Sequence, residues 1–111
     1  MTESESTSEA LIAPWRNSIE WARTEPELLA VVNSFLSEWS AKRLSTLPAH
    51  LRPTKVEGNE EIVRWALLFA AAEPRLDRSR DVSLRQMTLF FKEVYKRLPE
   101  IYRETLEAPA I

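Results

Sequence analysis

The sequence predicts an all-α protein, an irregular bundle of four to five helices with a disordered acidic N-terminal tail. Three observations predict this class. The 111-residue chain contains a single glycine, Gly58, although strand-rich folds need many glycines for their tight turns. Its seven prolines divide it into segments of helical length, since proline breaks helix interiors. Within those segments, apolar residues recur at helical spacing.

Composition indicates one ordinary globular domain, because 44% of the residues are hydrophobic and 29% are charged. Residues 1–10 carry three acidic residues and no basic one, which predicts a disordered tail before a helical domain at 11–108. The chain has no cysteine, as is typical of a reducing compartment. The longest apolar run has eight residues, too few to cross a membrane. We therefore expect a cytoplasmic protein that makes no contact with membranes.

The first helix is predicted over residues 14–23, between a proline and a capping signal. Trp15, Ile19 and Ala22 recur at i, i+4 and i+7, which places them on one helix face. This face is expected to pack on the core.

The second helix has the clearest start in the sequence. Thr24 and Glu27 have the spacing of a capping box, and Pro26 falls in the first turn, where its missing N–H costs nothing. A wide apolar arc then predicts a helix that ends near Leu44. Residues 45–58, with two prolines and the glycine, are expected to form a connector whose apolar members pack on the core.

The third helix is predicted to start with Asn59 as N-cap and to stop near Glu73, before a proline. Residues 65–72 are apolar without interruption, and a helix that is apolar all round is normally buried. We expect this helix to be central, with the tract around Leu67 and Phe69 shielded from water on nearly its whole circumference. Either the other helices wrap it, or one side packs on a second copy of the chain; we favour the dimer.

The last part of the chain predicts two further helices. Ser83 and Gln86 have the spacing of a second capping box, ahead of a fourth helix over 84–97. Pro99 is expected to interrupt the hydrogen-bond ladder. A short fifth helix then follows at a changed angle.

Residues with catalytic or metal-binding chemistry are few in this sequence. His50 is the only histidine, there is no cysteine, and no phosphate-binding glycine loop occurs. The carboxylates Glu57, Glu60 and Glu61 lie at a predicted helix start, where the helix dipole favours acidic residues without any catalytic role. The sequence therefore predicts a protein that is not an enzyme and binds no metal or cofactor.

Basic residues concentrate late in the chain. Residues 75–97 hold seven basic and three acidic residues, whereas the whole chain has a net charge of −2. In the fourth helix, Arg85, Leu89, Lys92 and Lys96 recur at i, i+4, i+7 and i+11, which places them in one stripe. Such a stripe can be a helix face that contacts only water. It can also be a binding surface, for which there are two hypotheses.

The first hypothesis is a non-enzymatic protein–protein interaction module, such as a bacterial adaptor, antagonist or regulatory subunit, that binds an unidentified protein or forms a homodimer. Mixed apolar and basic strips are typical of interfaces. Its candidate partner-binding residues are Arg85, Leu89, Phe90, Lys92 and Lys96. The alternative is a nucleic-acid-associated transcriptional regulator in which basic side chains contact phosphates. Its candidate residues are Arg75, Arg78, Arg80, Arg85 and Lys92.

Overall fold

The computed structural model of the chain is built from α-helices, which confirms the all-α class. It describes residues 3–75 and 81–107, with side chains for 12–75 and 81–101, and these residues contain no strand. The described helices are α1 (Glu3–Trp21), α2 (Glu25–Ser37), α3 (Ala41–Leu44), α4 (Asn59–Ala72) and α5 (Val82–Glu107), and a 3-10 turn (Glu73–Arg75) follows α4.

Helix α1 is longer than the sequence predicts. It begins at Glu3, so Pro14 lies inside the helix and not in its first turn. Ile12 and Ile19 are buried on one face, together with Ala22 just after the helix. The side chains described begin at Ile12, so the division into a tail at 1–10 and a domain at 11–108 stays a prediction.

Helix α2 begins with the predicted N-cap and ends earlier than predicted. The Glu27 backbone N–H donates to the Thr24 hydroxyl oxygen over 3.3 Å, and this hydroxyl donates to the Glu27 carboxylate over 3.1 Å. The predicted end near Leu44 is wrong, because α2 stops at Ser37. Ser40 then accepts a hydrogen bond from the Arg43 N–H and caps the separate helix α3. The apolar spacing of α2 continues past Ser37 and so predicts one long helix. The N-cap Ser40 instead starts a new helix.

The connector between α3 and α4 is fixed to α2 by one amide side chain. Asn33 donates from Nδ2 to the Val56 carbonyl, and its Oδ1 accepts from the Val56 N–H, both over 2.8 Å. Leu47, Leu51 and Val56 are fully buried, so the connector packs on the core as predicted.

We expect Asn33→Ala to lower the free energy of unfolding by about 2 kcal/mol, because it leaves the backbone N–H and C=O of the buried Val56 without their partner. Urea denaturation followed by circular dichroism measures this loss. Ser34→Ala, at the exposed neighbouring position, is the control and should change stability by about 0.5 kcal/mol or less. Equal effects of the two substitutions would contradict the role given to Asn33.

The central element is α5, which packs on α1 along one side and on α4 along the other, with α2 also in contact. Two adjacent phenylalanines of α5 point to the two sides. Phe90 stacks on Phe35 of α2 with ring centroids 3.7 Å apart, and Phe91 stacks on Phe69 of α4 at 5.4 Å. Trp15 of α1 makes T-shaped ring contacts with both Phe35 and Phe90. A continuous aromatic core therefore runs through α5.

Three predictions about α5 are wrong. The helix begins at Val82, and Gln86 is buried and accepts a hydrogen bond from the Arg43 guanidinium, so Ser83 and Gln86 do not form a capping box. Pro99 does not end the helix either, since α5 continues to Glu107, and the predicted short fifth helix after Pro99 is therefore part of α5. Leu98 and Ile101, on either side of Pro99, are both buried, and this packing holds the helix through the proline.

The prediction that the third helix is central is also wrong. Helix α4 starts at Asn59 with Gly58, not Asn59, as N-cap. It buries Ile62, Ala66 and Phe69, which face α5. Because α5 is the main helical neighbour of α4 among the described elements, one face of α4 is covered and the opposite face is left to solvent.

Candidate interaction surface

The structure separates the members of the predicted basic stripe on α5. Lys92 and Lys96 are exposed, whereas Arg85 and Leu89 are half-buried, and Leu89 packs against the edge of the core. Phe90 was wrongly assigned to this surface, because it is fully buried against Phe35. Phe90 lies about 40° around the helix from the fully buried Val94, on the side that α1 and α2 cover.

The basic candidates before α5 are described only in part. Arg75 is exposed at the end of the 3-10 turn, while Arg78 and Arg80 lie outside the described residues. The excess of positive charge is also partly used within the fold. Arg97 donates two hydrogen bonds to the Ala22 carbonyl and pairs with Glu100 at 2.8 Å.

A different exposed surface, which the sequence reading missed, lies on α4. Leu67 is 56% exposed and Leu68 is 38% exposed, and Ala70 and Ala71 beside them are exposed as well. Four apolar residues thus face solvent within two helical turns. We call this set, Leu67, Leu68, Ala70 and Ala71, the α4 apolar face.

A groove between α4 and α5 extends the α4 apolar face. It has a volume of about 160 Å³ and mainly apolar walls. Tyr95 of α5, which is 44% exposed, separates it from a second hollow that lies toward the start of α4. The first groove is lined by Ala66, Leu67, Ala70, Glu73, Thr88, Lys92 and Tyr95.

The charged side chains at the two ends of α4 differ. Its N-terminal end borders a hollow that contains Arg64 and the four carboxylates Glu25, Glu57, Glu60 and Glu61. Its C-terminal end borders a hollow beside Leu68 and Ala71 that contains Arg75, His50 and Asp81. The exposed side of α4 is therefore acidic at its start and apolar in its second half, and its end carries Arg75 together with the acidic Asp81 and Glu73.

Other prominent side chains have structural roles or lie apart from this surface. Arg43 connects α3 to α5 through Gln86, and its guanidinium lies 3.8 Å from the centre of the Trp39 ring. Burial lowers the pKa of Arg43, and the Glu38 carboxylate acts in the opposite direction. Trp21, at the end of α1, is 77% exposed and lines none of these hollows.

Among the described residues, no three histidine or carboxylate side chains come together as a metal ion would require. The described helices include none with the length and apolar character to span a bilayer. His50 lies in the connector, exposed beside Leu51.

Comparison with known proteins identifies no relative: no family model, no curated protein and no solved structure matches the chain.

Proposed function

We propose that this protein is a non-enzymatic, cytoplasmic protein–protein interaction module that binds its partner through the α4 apolar face and the adjoining groove. The observation that carries the proposal is the exposure of Leu67 and Leu68 beside two exposed alanines. Contiguous apolar surface with a polar rim is typical of interaction sites. The absence of cysteine supports a reducing compartment.

The shape of this surface favours a helical partner segment. The α4 apolar face is a ridge on a helix, and the groove beside it is bounded by Tyr95 and Lys92. An amphipathic helix can place apolar side chains in such a groove at i, i+3 or i+4, and i+7. The small alanines allow its backbone to come close.

The nucleic-acid alternative has less support. The exposed side of α5 carries Lys92 and Lys96, but the exposed Glu100 follows Lys96 by four residues, and Arg97 is hydrogen-bonded to the Ala22 carbonyl. Phosphate binding requires a surface with a net excess of basic side chains.

The interaction function predicts that Leu67→Glu reduces partner binding at least roughly tenfold, since it places a charge in the centre of an apolar contact. The tagged full chain is used as bait in extracts of its native cells, and captured proteins are quantified by mass spectrometry. Leu67 is more than half exposed, so the substitution leaves the melting temperature nearly unchanged.

The matched control is Ala30→Glu, which introduces the same charge at an exposed apolar position in the middle of α2. It should capture the same proteins as the unchanged chain. Equal capture by the Leu67→Glu variant would show that the α4 apolar face is not the binding surface.

A further inference from the structure

The exposed residues of α4 follow the spacing of a helix-pairing seam. Glu60, Arg64, Leu67 and Ala71 recur at i, i+4, i+7 and i+11, and Arg75 follows four residues later, in the 3-10 turn. All five side chains are exposed, Leu67 by 56%. This is the alternating spacing by which two helices pack along their length.

The charges on this seam are complementary to those of its own reversed copy. Consider two antiparallel α4 helices whose two-fold axis passes between Leu67 and Leu68. Each residue then faces the residue of the other copy that lies equally far on the opposite side of this axis. Leu67 then meets the second copy's position 68, and Arg64 meets position 71. Glu60 meets position 75, so an acidic residue faces Arg75 at both ends of the pair.

We propose that the partner of the α4 apolar face is a second copy of this chain, packed through antiparallel α4 helices. This inference rests on the proposed interaction function and names its partner. The two leucines meet across the two-fold axis, as an isologous interface requires. The aliphatic stem of Arg64 lies over the small Ala71 of the other copy, with its charge at the water-exposed edge.

The parallel arrangement is disfavoured by the same charges. It would bring Glu60 against its own copy, together with Glu57 and Glu61 at the same helix end, and Arg75 against its own copy at the other end. Like charges in direct contact destabilise an interface. Glu73 lines the groove beside Lys92 and not the seam, so it does not oppose the antiparallel pairing.

The test measures the mass of the full chain by size-exclusion chromatography with light scattering over a range of concentrations. The interface of one helix per copy is small, so we expect a dissociation constant on the order of 10–100 µM. The mass should rise from the 12.9 kDa of the monomer toward twice that value. Leu67→Glu should remain monomeric at the highest concentration, and Ala30→Glu should dimerise normally.

Charge reversal then tests the antiparallel orientation. Glu60→Arg alone and Arg75→Glu alone should each weaken dimerisation roughly tenfold, because both end pairs become like-charged. Mixing the two variants, one of them tagged, should restore binding, because both end pairs of the mixed dimer join opposite charges. Both positions are exposed, so the folded state is kept.

A chain that stays monomeric at all concentrations overturns the inference. So does a mixture of the two charge variants that binds no better than either variant alone. If the chain is monomeric but Leu67→Glu still abolishes capture of another protein, the interaction function stands and the partner is not a second copy. If neither dimer nor capture is observed, the interaction function falls too.

Discussion

Phe90→Ala is expected to lower the free energy of unfolding by about 4 kcal/mol, the range for removing a fully buried phenylalanine. Phe90 stacks on Phe35 at 3.7 Å and makes T-shaped ring contacts with Trp15 and Phe91. The substitution therefore removes contacts to α1 and α2 at once. Because a domain of this size is stabilised by only about 5–15 kcal/mol in total, the variant should be close to unfolding at physiological temperature.

Urea denaturation followed by tryptophan fluorescence measures this loss directly, since Trp15 contacts the substituted ring. Tyr95→Ala is the matched control on the same helix. Tyr95 is 44% exposed, so its truncation should cost about 1 kcal/mol or less. If Phe90→Ala cost no more than Tyr95→Ala, Phe90 would be a surface residue, as its place beside the basic stripe suggested.

Phe69→Glu is expected to have a still larger effect and to unfold most of the protein. Phe69 is 1% exposed and stacks on Phe91, so the substitution puts a carboxylate between α4 and α5 with no basic partner in that aromatic contact. An unpaired buried charge costs more than about 4–5 kcal/mol when it cannot be neutralised. The helical signal in far-UV circular dichroism should be largely lost at pH 7.

The decisive comparison is with Leu67→Glu, two residues earlier in the same helix. Two residues rotate the side chain by about 200° on a helix, from the face on α5 to the α4 apolar face. Leu67→Glu should therefore change stability by about 1 kcal/mol or less, and thermal melting of the two variants shows the difference. If both variants unfolded, α4 would be shielded on both sides.

The local features of this fold could be predicted from the sequence because they depend on neighbouring residues. Thr24 and Glu27 cap α2 as their spacing indicates, since both atoms of that contact lie within one helical turn. The end of α4 before Pro74 is predicted as well, because Pro74 has no N–H to donate to the carbonyl of Ala70, four residues earlier.

The candidate surface could not be predicted in the same way. Periodicity shows which residues share a face of a helix, but the exposed fraction depends on which neighbour covers that face. The apolar run at 65–72 predicts burial on all sides. Because α4 lies at the edge of the bundle, only the side that faces α5 is buried. One signal in the sequence does point to this surface. Residues 65–72 place apolar side chains on every side of α4, which is more apolar surface than the contact with α5 covers.

The sequence by itself determined the all-α class, the N-cap of α2 and the connector with its buried apolar residues. These follow from glycine scarcity, proline positions and short-range capping. Only the tertiary structure decided that α5 is central, that Pro99 lies within a continuous helix and that Phe90 is buried while Leu67 is exposed. The physical reason is that a helix's neighbours are chosen by the packing of its faces against residues distant in sequence, such as Phe90 on Phe35.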